Sequence, residues 1–215
     1  ENMSKGYGSG SAKIDIVLTG SQKAIGVPPG LGIVAFNRTA LAAREELGQI
    51  AAYYTDIKNW LPIMNNPGKY YATPPVNMIY ALNKGLEIVL AEGLETRYRR
   101  HRALGRAVRE ALEVYGMKAL AQEEVAAPTL SCILYPQGLD DAAFRKSLAD
   151  KGVVVAGALA SLAGKAFRIG HMGNVTEEMF GRAIRLIGDT LVELGQPDAR
   201  DFAVRTFHDV KQSQF

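Results

Sequence analysis

The chain has 215 residues, 47% of them hydrophobic and 22% charged, proportions that allow a packed core and exclude disordered and collagen-like polymers. A single cysteine excludes a disulfide framework, three histidines leave little material for a metal site, and apolar runs such as 152–162 are too short to span a bilayer. The net charge of +3 is local: Arg97, Arg99, Arg100, Arg102, Arg106 and Arg109 lie in thirteen residues without an acid, and without those six the rest of the chain is at −3.

Residues 1–13 are rich in Gly and Ser and without apolar periodicity, so they read as a linker or an appended segment. They lack the apolar core of a signal peptide and the arginines of a transit peptide. The C-terminal Ser213-Gln214-Phe215 is no retention or peroxisomal signal, and the expected location is cytoplasmic. Ile14 to Leu18 reads as a strand closed by Thr19-Gly20-Ser21, and Gly32 to Phe36 as a second strand. Asn37 or Thr39 is placed to cap a short helix from Ala40 to Leu47, and residues 53–75 read as an extended, loop-rich segment. Three- and four-residue apolar steps from Ile79 to Tyr115 predict one long helix, or two with a bend near Gly93, ending at Gly116. Leu130–Leu134, Val153–Val155 and 165–170 read as strands, Asp140 and Thr176 as caps of two helices, and beyond Pro197 the signal fades.

The domain plan that follows is 14–75, a connecting helix 76–116, a small α+β domain 117–196 and a tail 197–215. The arginine cluster alternates with Leu94, Tyr98, Leu104, Val108 and Leu112 at helical spacing. It therefore reads as the solvated face of an amphipathic helix rather than a nucleic-acid interface.

Several motif matches fail on context. Gly30-Leu31-Gly32-Ile33-Val34-Ala35 leads into a strand rather than from a strand into a helix, so it is no dinucleotide fingerprint. Gly164-Lys165 has neither the glycine spacing nor the Ser/Thr of a phosphate-binding loop. Cys132 sits in an apolar strand as a small core residue, His101 lies on the apolar stripe of the long helix, and His171 follows a strand end near a possible site. No Ser/His/Asp arrangement is legible. One segment stands apart: Thr19-Gly20-Ser21-Gln22-Lys23-Ala24 sets a lysine just past a strand end among small residues, and Pro28-Pro29-Gly30 stiffens the return. A lysine shielded from water in such a turn is suited to imine chemistry.

That segment, continued by Pro28-Pro29-Gly30-Leu31, resembles the cofactor-lysine motif of the class V aminotransferases, in the alanine–glyoxylate and serine–pyruvate branch. Tyr70-Tyr71-Ala72-Thr73-Pro74 resembles the family's Tyr-x-x-Thr-x-Pro segment. Glu92-Gly93-Leu94-Glu95 with Arg99-Arg100-His101 resembles its helix motif, and Phe167-Arg168-Ile169-Gly170 with Met172-Gly173 its carboxylate-binding strand. Cysteine desulfurases carry a His where this chain has Gln22, and phosphoserine aminotransferases lack the Pro-Pro-Gly continuation.

The resemblance implies part of an α/β fold of type I, namely the lysine-bearing edge of the large domain, a long connecting helix and an α+β C-terminal domain. It implies pyridoxal 5'-phosphate held by Lys23, which also moves the substrate's proton, with Gln22 supporting the phosphate end. Arg168 would grip the substrate carboxylate, and Tyr70 and Thr73 would reach the phosphate of a neighbouring subunit in a homodimer. The amino donor would be alanine or serine and the acceptor glyoxylate or pyruvate. The family's first half, which supplies a phosphate-cradling turn, a ring-stacking aromatic and an aspartate for the ring nitrogen, has no counterpart from Ile14 onward, and Asp15 is too close to Lys23 to be that aspartate. Two readings stay open: a transaminase, completed by a separate chain or truncated, and a non-catalytic interaction module keeping the C-terminal fold.

Overall fold

The computed structural model describes residues 14–212; the segment expected to be a linker, 1–13, lies outside them. The chain divides into two compact units, the first ending at Ile88 and the second beginning at Val89.

In the first unit, β1 (Ile16–Gly20) pairs antiparallel with β2 (Gly32–Phe36), in a register that sets Gly20 opposite Gly32. The first strand starts two residues later than expected and takes in Thr19 and Gly20. Asp15 stays outside it, its carboxylate accepting from Asn37 Nδ2 at 2.6 Å and its carbonyl from the Asn37 N–H. Asn37 caps α1 (Arg38–Glu46) by accepting the Ala40 N–H.

The segment expected to be extended contains a helix, α2 (Ile57–Asn65), capped by Asp56 and followed by a single 3-10 turn at Pro67–Lys69. Pro62 inside the helix and the Asn-Asn-Pro-Gly run after it hide this helix in the sequence. A partly buried ion pair holds its start: Arg44 donates Nε and Nη2 to the two Asp56 oxygens at 2.7 and 2.5 Å. Among residues 14–88 only Ser21, Asp56 and Gly85 are buried, and Ile16, Leu18 and Val34 stand exposed on the hairpin.

The long apolar pattern forms two helices, α3 (Val76–Glu92) and α4 (Leu94–Glu113). The break falls at Gly93, whose φ of 81° is open to glycine and strained for other residues. The second unit holds the hydrophobic core. A three-stranded antiparallel sheet in the order β3 (Leu130–Leu134), β5 (Ala166–Gly170), β4 (Ala156–Gly157) packs with α4, α5 (Asp141–Asp150) and α6 (Glu177–Glu193). Leu112, Ile133, Phe144, Phe167, Ile184 and Ile187 are among its fully buried side chains. Asp140 and Thr176 cap α5 and α6 as expected, accepting the Ala143 and Met179 N–H groups.

Two expectations fail here. Val153–Val155 is not a strand: the edge strand starts three residues later, at Ala156, and is only two residues long. Beyond Pro197 the chain forms α7 (Arg200–Gln212), which packs on α4 and α6 and buries Ala203 and Phe207. Its charged residues dilute the apolar period to two fully buried positions, which is why the sequence signal fades there.

Candidate active site

Lys23 lies in the loop that joins the two strands of the hairpin. The loop is closed at its base by Ser21, which is fully buried. The Ser21 hydroxyl donates to the Pro28 carbonyl at 2.7 Å and accepts the Leu31 N–H at 3.3 Å. Its backbone N–H donates to Leu31 O, and its carbonyl accepts the Val27 N–H. A smaller turn sits inside this closure, with the Gly26 N–H donating to Lys23 O at 3.0 Å. Residues 22–24 form the projecting tip. Gln22 folds its amide over Gly20, so closely that a Cβ added at Gly20 would meet Gln22 Oε1 at 2.5 Å.

Lys23 itself is exposed, and among the described residues its ammonium has no hydrogen-bond partner. The shielding expected from the sequence is therefore not supplied by residues 14–88. A two-stranded hairpin presents its loop outward, and no buried apolar residue of the first unit stands over the tip.

Ahead of α3, Tyr71 turns into an aromatic cluster with Tyr53, Tyr54 and Trp60, at ring-centroid distances of 5.1, 6.4 and 5.2 Å. Trp60 Nε1 donates to the Tyr54 carbonyl at 2.6 Å and fixes the cluster's orientation. With Tyr71 taken up in this way, Tyr70 and Thr73 are exposed, and among the described residues their hydroxyls have no partner. Lys23 and Gln22 thus share a loop, Tyr70 and Thr73 share a segment, and no hydrogen bond joins the two pairs among the described residues.

Arg168 lies on β5, the central strand of the other sheet, opposite Cys132 on one side and Ala156 on the other. Its Nε donates to Gly157 O at 3.0 Å. The two terminal nitrogens have no protein partner among the described residues, so the outer edge of the fork is open to a planar carboxylate.

The loop after this strand is held by α4. Arg100 donates to Gly173 O at 3.0 Å and to Val175 O at 2.8 Å, His101 Nε2 donates to Gly173 O at 3.1 Å, and Arg97 donates to Asn174 Oδ1. Glu92 accepts from both arginines, at 2.7 Å from Arg97 and 2.6 Å from Arg100. Those guanidiniums hold the Glu92 carboxyl below its usual range, and burial lowers His101. Arg109 donates twice to Glu123, at 2.8 Å each. The cluster is split: Arg99, Arg102 and Arg106 are exposed on the solvated face that the spacing suggests, whereas Arg97 and Arg109 are buried. Glu92, Glu123 and the 173–175 loop, partners of Arg97, Arg100 and Arg109, lie outside the arginine-rich window.

His171 is fully buried between β3 and α4. Its Nδ1 donates to Pro128 O at 2.9 Å, which leaves Nε2 to accept the Ser131 hydroxyl at 2.9 Å. Burial pushes its pKa down to about 4. This serine–histidine pair is closed to solvent and has a carbonyl rather than a carboxylate at Nδ1, so it clamps the strands and offers no nucleophile. Cys132 is a partly covered residue of β3.

Sequence reading holds Ser21 and Glu92 only as motif members without a role, and it passes over Gly85. The signal that could have marked Ser21 is its place between Gly20 and the lysine, where a hydroxyl can close the loop.

Comparison with known proteins bears on the whole arrangement. The family model "Aminotransferase class-V" matches residues 10–170. An uncharacterized aminotransferase of Methanocaldococcus jannaschii is 38% identical over 183 residues, covering 85% of this chain and 48% of the relative. A serine–glyoxylate aminotransferase of Methylorubrum extorquens is 37% identical over 172 residues, covering 77% of this chain and 42% of its own length. The crystal structure of ureidoglycine–glyoxylate aminotransferase from Bacillus subtilis superposes with a TM-score of 0.85 at 28% identity, covering 93% of this chain and 52% of that one. The chain spans about half the length of the proteins it matches.

Proposed function

The chain belongs to the class V aminotransferases and carries part of their fold-type-I α/β architecture, and from that premise we propose that it serves a pyridoxal-phosphate-dependent transamination with glyoxylate or pyruvate as acceptor. The observation that carries this reading is the Ser21-closed loop, which presents the Lys23 amine at its tip. The donor set also fits the cofactor and its substrates: an amine for an aldehyde, the phenol and hydroxyl of Tyr70 and Thr73 for phosphate oxygens, and the Arg168 fork for a carboxylate. When bound, pyridoxal phosphate supplies the electron sink that lets a proton leave the amino acid's α-carbon.

Within that frame Lys23 holds the aldehyde and, once freed, carries the proton at Nζ. Gln22 steadies the tip through its contact with Gly20. Arg168 fixes the α-carboxylate and so orients the Cα–H bond. Tyr70 and Thr73 donate to the phosphate of a neighbouring subunit, in a homodimer located in the cytoplasm. Alanine or serine is the amino donor. The serine–glyoxylate and ureidoglycine–glyoxylate names of the matched proteins support glyoxylate as the acceptor more strongly than they support any one donor.

A second reading is favoured by the exposure of Lys23 and of Ile16, Leu18 and Val34: this chain is a non-catalytic interaction module that keeps the C-terminal fold and uses the apolar hairpin face for association. Incubation with pyridoxal phosphate, borohydride reduction and peptide mapping separates the two. Near-stoichiometric modification of Lys23, abolished by Lys23→Ala, supports the first; modification scattered over surface lysines, or none, supports the second.

Arg168→Lys keeps a charge and loses the fork. It is expected to weaken amino-acid binding about tenfold to a hundredfold, the loss of one or two charge-assisted hydrogen bonds, and to leave the Lys23 adduct unchanged. Equal losses in both would remove Arg168 from substrate binding.

A further inference from the structure

We propose that Gly85 of α3 is the seat of the lysine loop and thereby a positioning residue for Lys23, an assignment that rests on the reading of Lys23 given above. Gly85 is buried in a helix whose other residues are only partly covered or exposed. A Cβ built at this position would meet Val27 Cγ1 at 2.5 Å, Ile25 Cγ2 at 3.2 Å and Ile25 O at 3.6 Å. Glycine is among the weakest helix formers and alanine the strongest, so local propensity argues against a glycine in the middle of α3. The space demanded by the loop argues for it.

The contact is not one that yields easily. Val27 is β-branched and stiff at χ1, so an ordinary contact distance requires the loop backbone to move by roughly an ångström. Such a movement has a direct route to the lysine. The Val27 N–H is bound to Ser21 O at 3.3 Å, and the Gly26 N–H to Lys23 O at 3.0 Å. α3 touches the loop at a second place, where the Met78 side chain lies along Gly30, 3.5 Å from where a Cβ would stand. The helix therefore supports both the tip-side arm at Ile25–Val27 and the return at Gly30. For a group that must meet a reacting carbon in line, a shift of about 1 Å costs on the order of a hundredfold in rate.

The test is Gly85→Ala alone and combined with Val27→Ala, which removes the methyl group in the way. In Gly85→Ala, amide hydrogen exchange at Gly26 and Val27 is expected to speed up about tenfold, and the selectivity of reductive pyridoxal-phosphate labelling for Lys23 to fall by a similar factor. The double variant is expected to recover both. A role in the helix alone would instead make Gly85→Ala indistinguishable from wild type in exchange and labelling, or slower to exchange. That outcome, or a double variant no better than the single one, overturns the proposal. Should wild-type Lys23 not be labelled at all, the reading of Lys23 fails, while the exchange rates in the two variants still decide whether Gly85 seats the loop.

Discussion

Phe167→Ala is expected to lower the unfolding free energy of the second unit by about 3–5 kcal/mol, the cost of emptying an aromatic site in a closed core. Phe167 is fully buried on the central strand β5 and stacks on Tyr135 at a centroid distance of 5.3 Å and 26° between planes. It also packs against Phe144, at 5.3 Å, and Phe144 in turn meets Tyr135 edge-on. Three rings sharing mutual contacts cannot close over the space left by one of them, so little relaxation offsets the loss. Against a typical total of about 5–15 kcal/mol, this leaves the unit marginal. Urea midpoints for the two proteins measure it, and a difference below about 1 kcal/mol would mean that the site collapses or is not closed. Because Phe167 precedes Arg168, the same variant is expected to loosen the Arg168 fork.

The second large effect is a loss of stability in acid that belongs to one residue. Burial holds His171 near a pKa of about 4, against 6.5 for the free side chain, with Arg109 and His101 adding to the depression and the Pro128 carbonyl opposing it. The folded value is below the unfolded one, so the unfolded state takes up the proton first as the pH falls. The neutral ring's contribution is complete above about pH 6.5 and is lost progressively down to about pH 4. At 1.36 kcal/mol per pKa unit the loss is about 3 kcal/mol. Glu92, Asp141 and Glu177, all held below the ordinary carboxylate range by cationic partners, lose stability in the same direction. For that reason the measurement is a comparison: unfolding free energy against pH for the wild type and for His171→Gln. The wild-type curve should fall more steeply between pH 6.5 and 4, and parallel curves would show that His171 is not held neutral by the fold.

What could be read from the residues and what could not divides along the reach of the interactions. Caps are local, and Asn37, Asp140 and Thr176 act where the sequence places them. The break at Gly93 is equally local, since one residue's left-handed φ decides it. α2 escapes because Pro62 and the following Asn-Asn-Pro-Gly are the usual marks of a loop, and here tertiary partners, the Arg44–Asp56 pair and the Trp60 cluster, override them. The burial of Arg97 and Arg109 in α4 is illegible for a related reason. A window without acids looks solvated until the fold brings Glu123 and the 173–175 loop to it, and Asn174 lies 77 residues from Arg97. At the candidate site, the lysine loop and the Arg168 strand are legible as motifs. Ser21 as the closing bond and Gly85 as the seat are not, because each acts through residues six to sixty positions away.

The placement of the core has a calorimetric consequence. The heat-capacity increment of unfolding comes from the apolar surface newly exposed to water. Among the described residues every fully covered hydrophobic side chain lies between Ala103 and Phe207, whereas residues 14–88 cover only a serine, an aspartate and a glycine. A scanning trace is therefore dominated by the melting of the second unit. The hairpin, α1, α2 and the first turns of α3, held by hydrogen bonds, an ion pair and half-covered rings, open with little heat-capacity change, and their stability varies almost linearly with temperature.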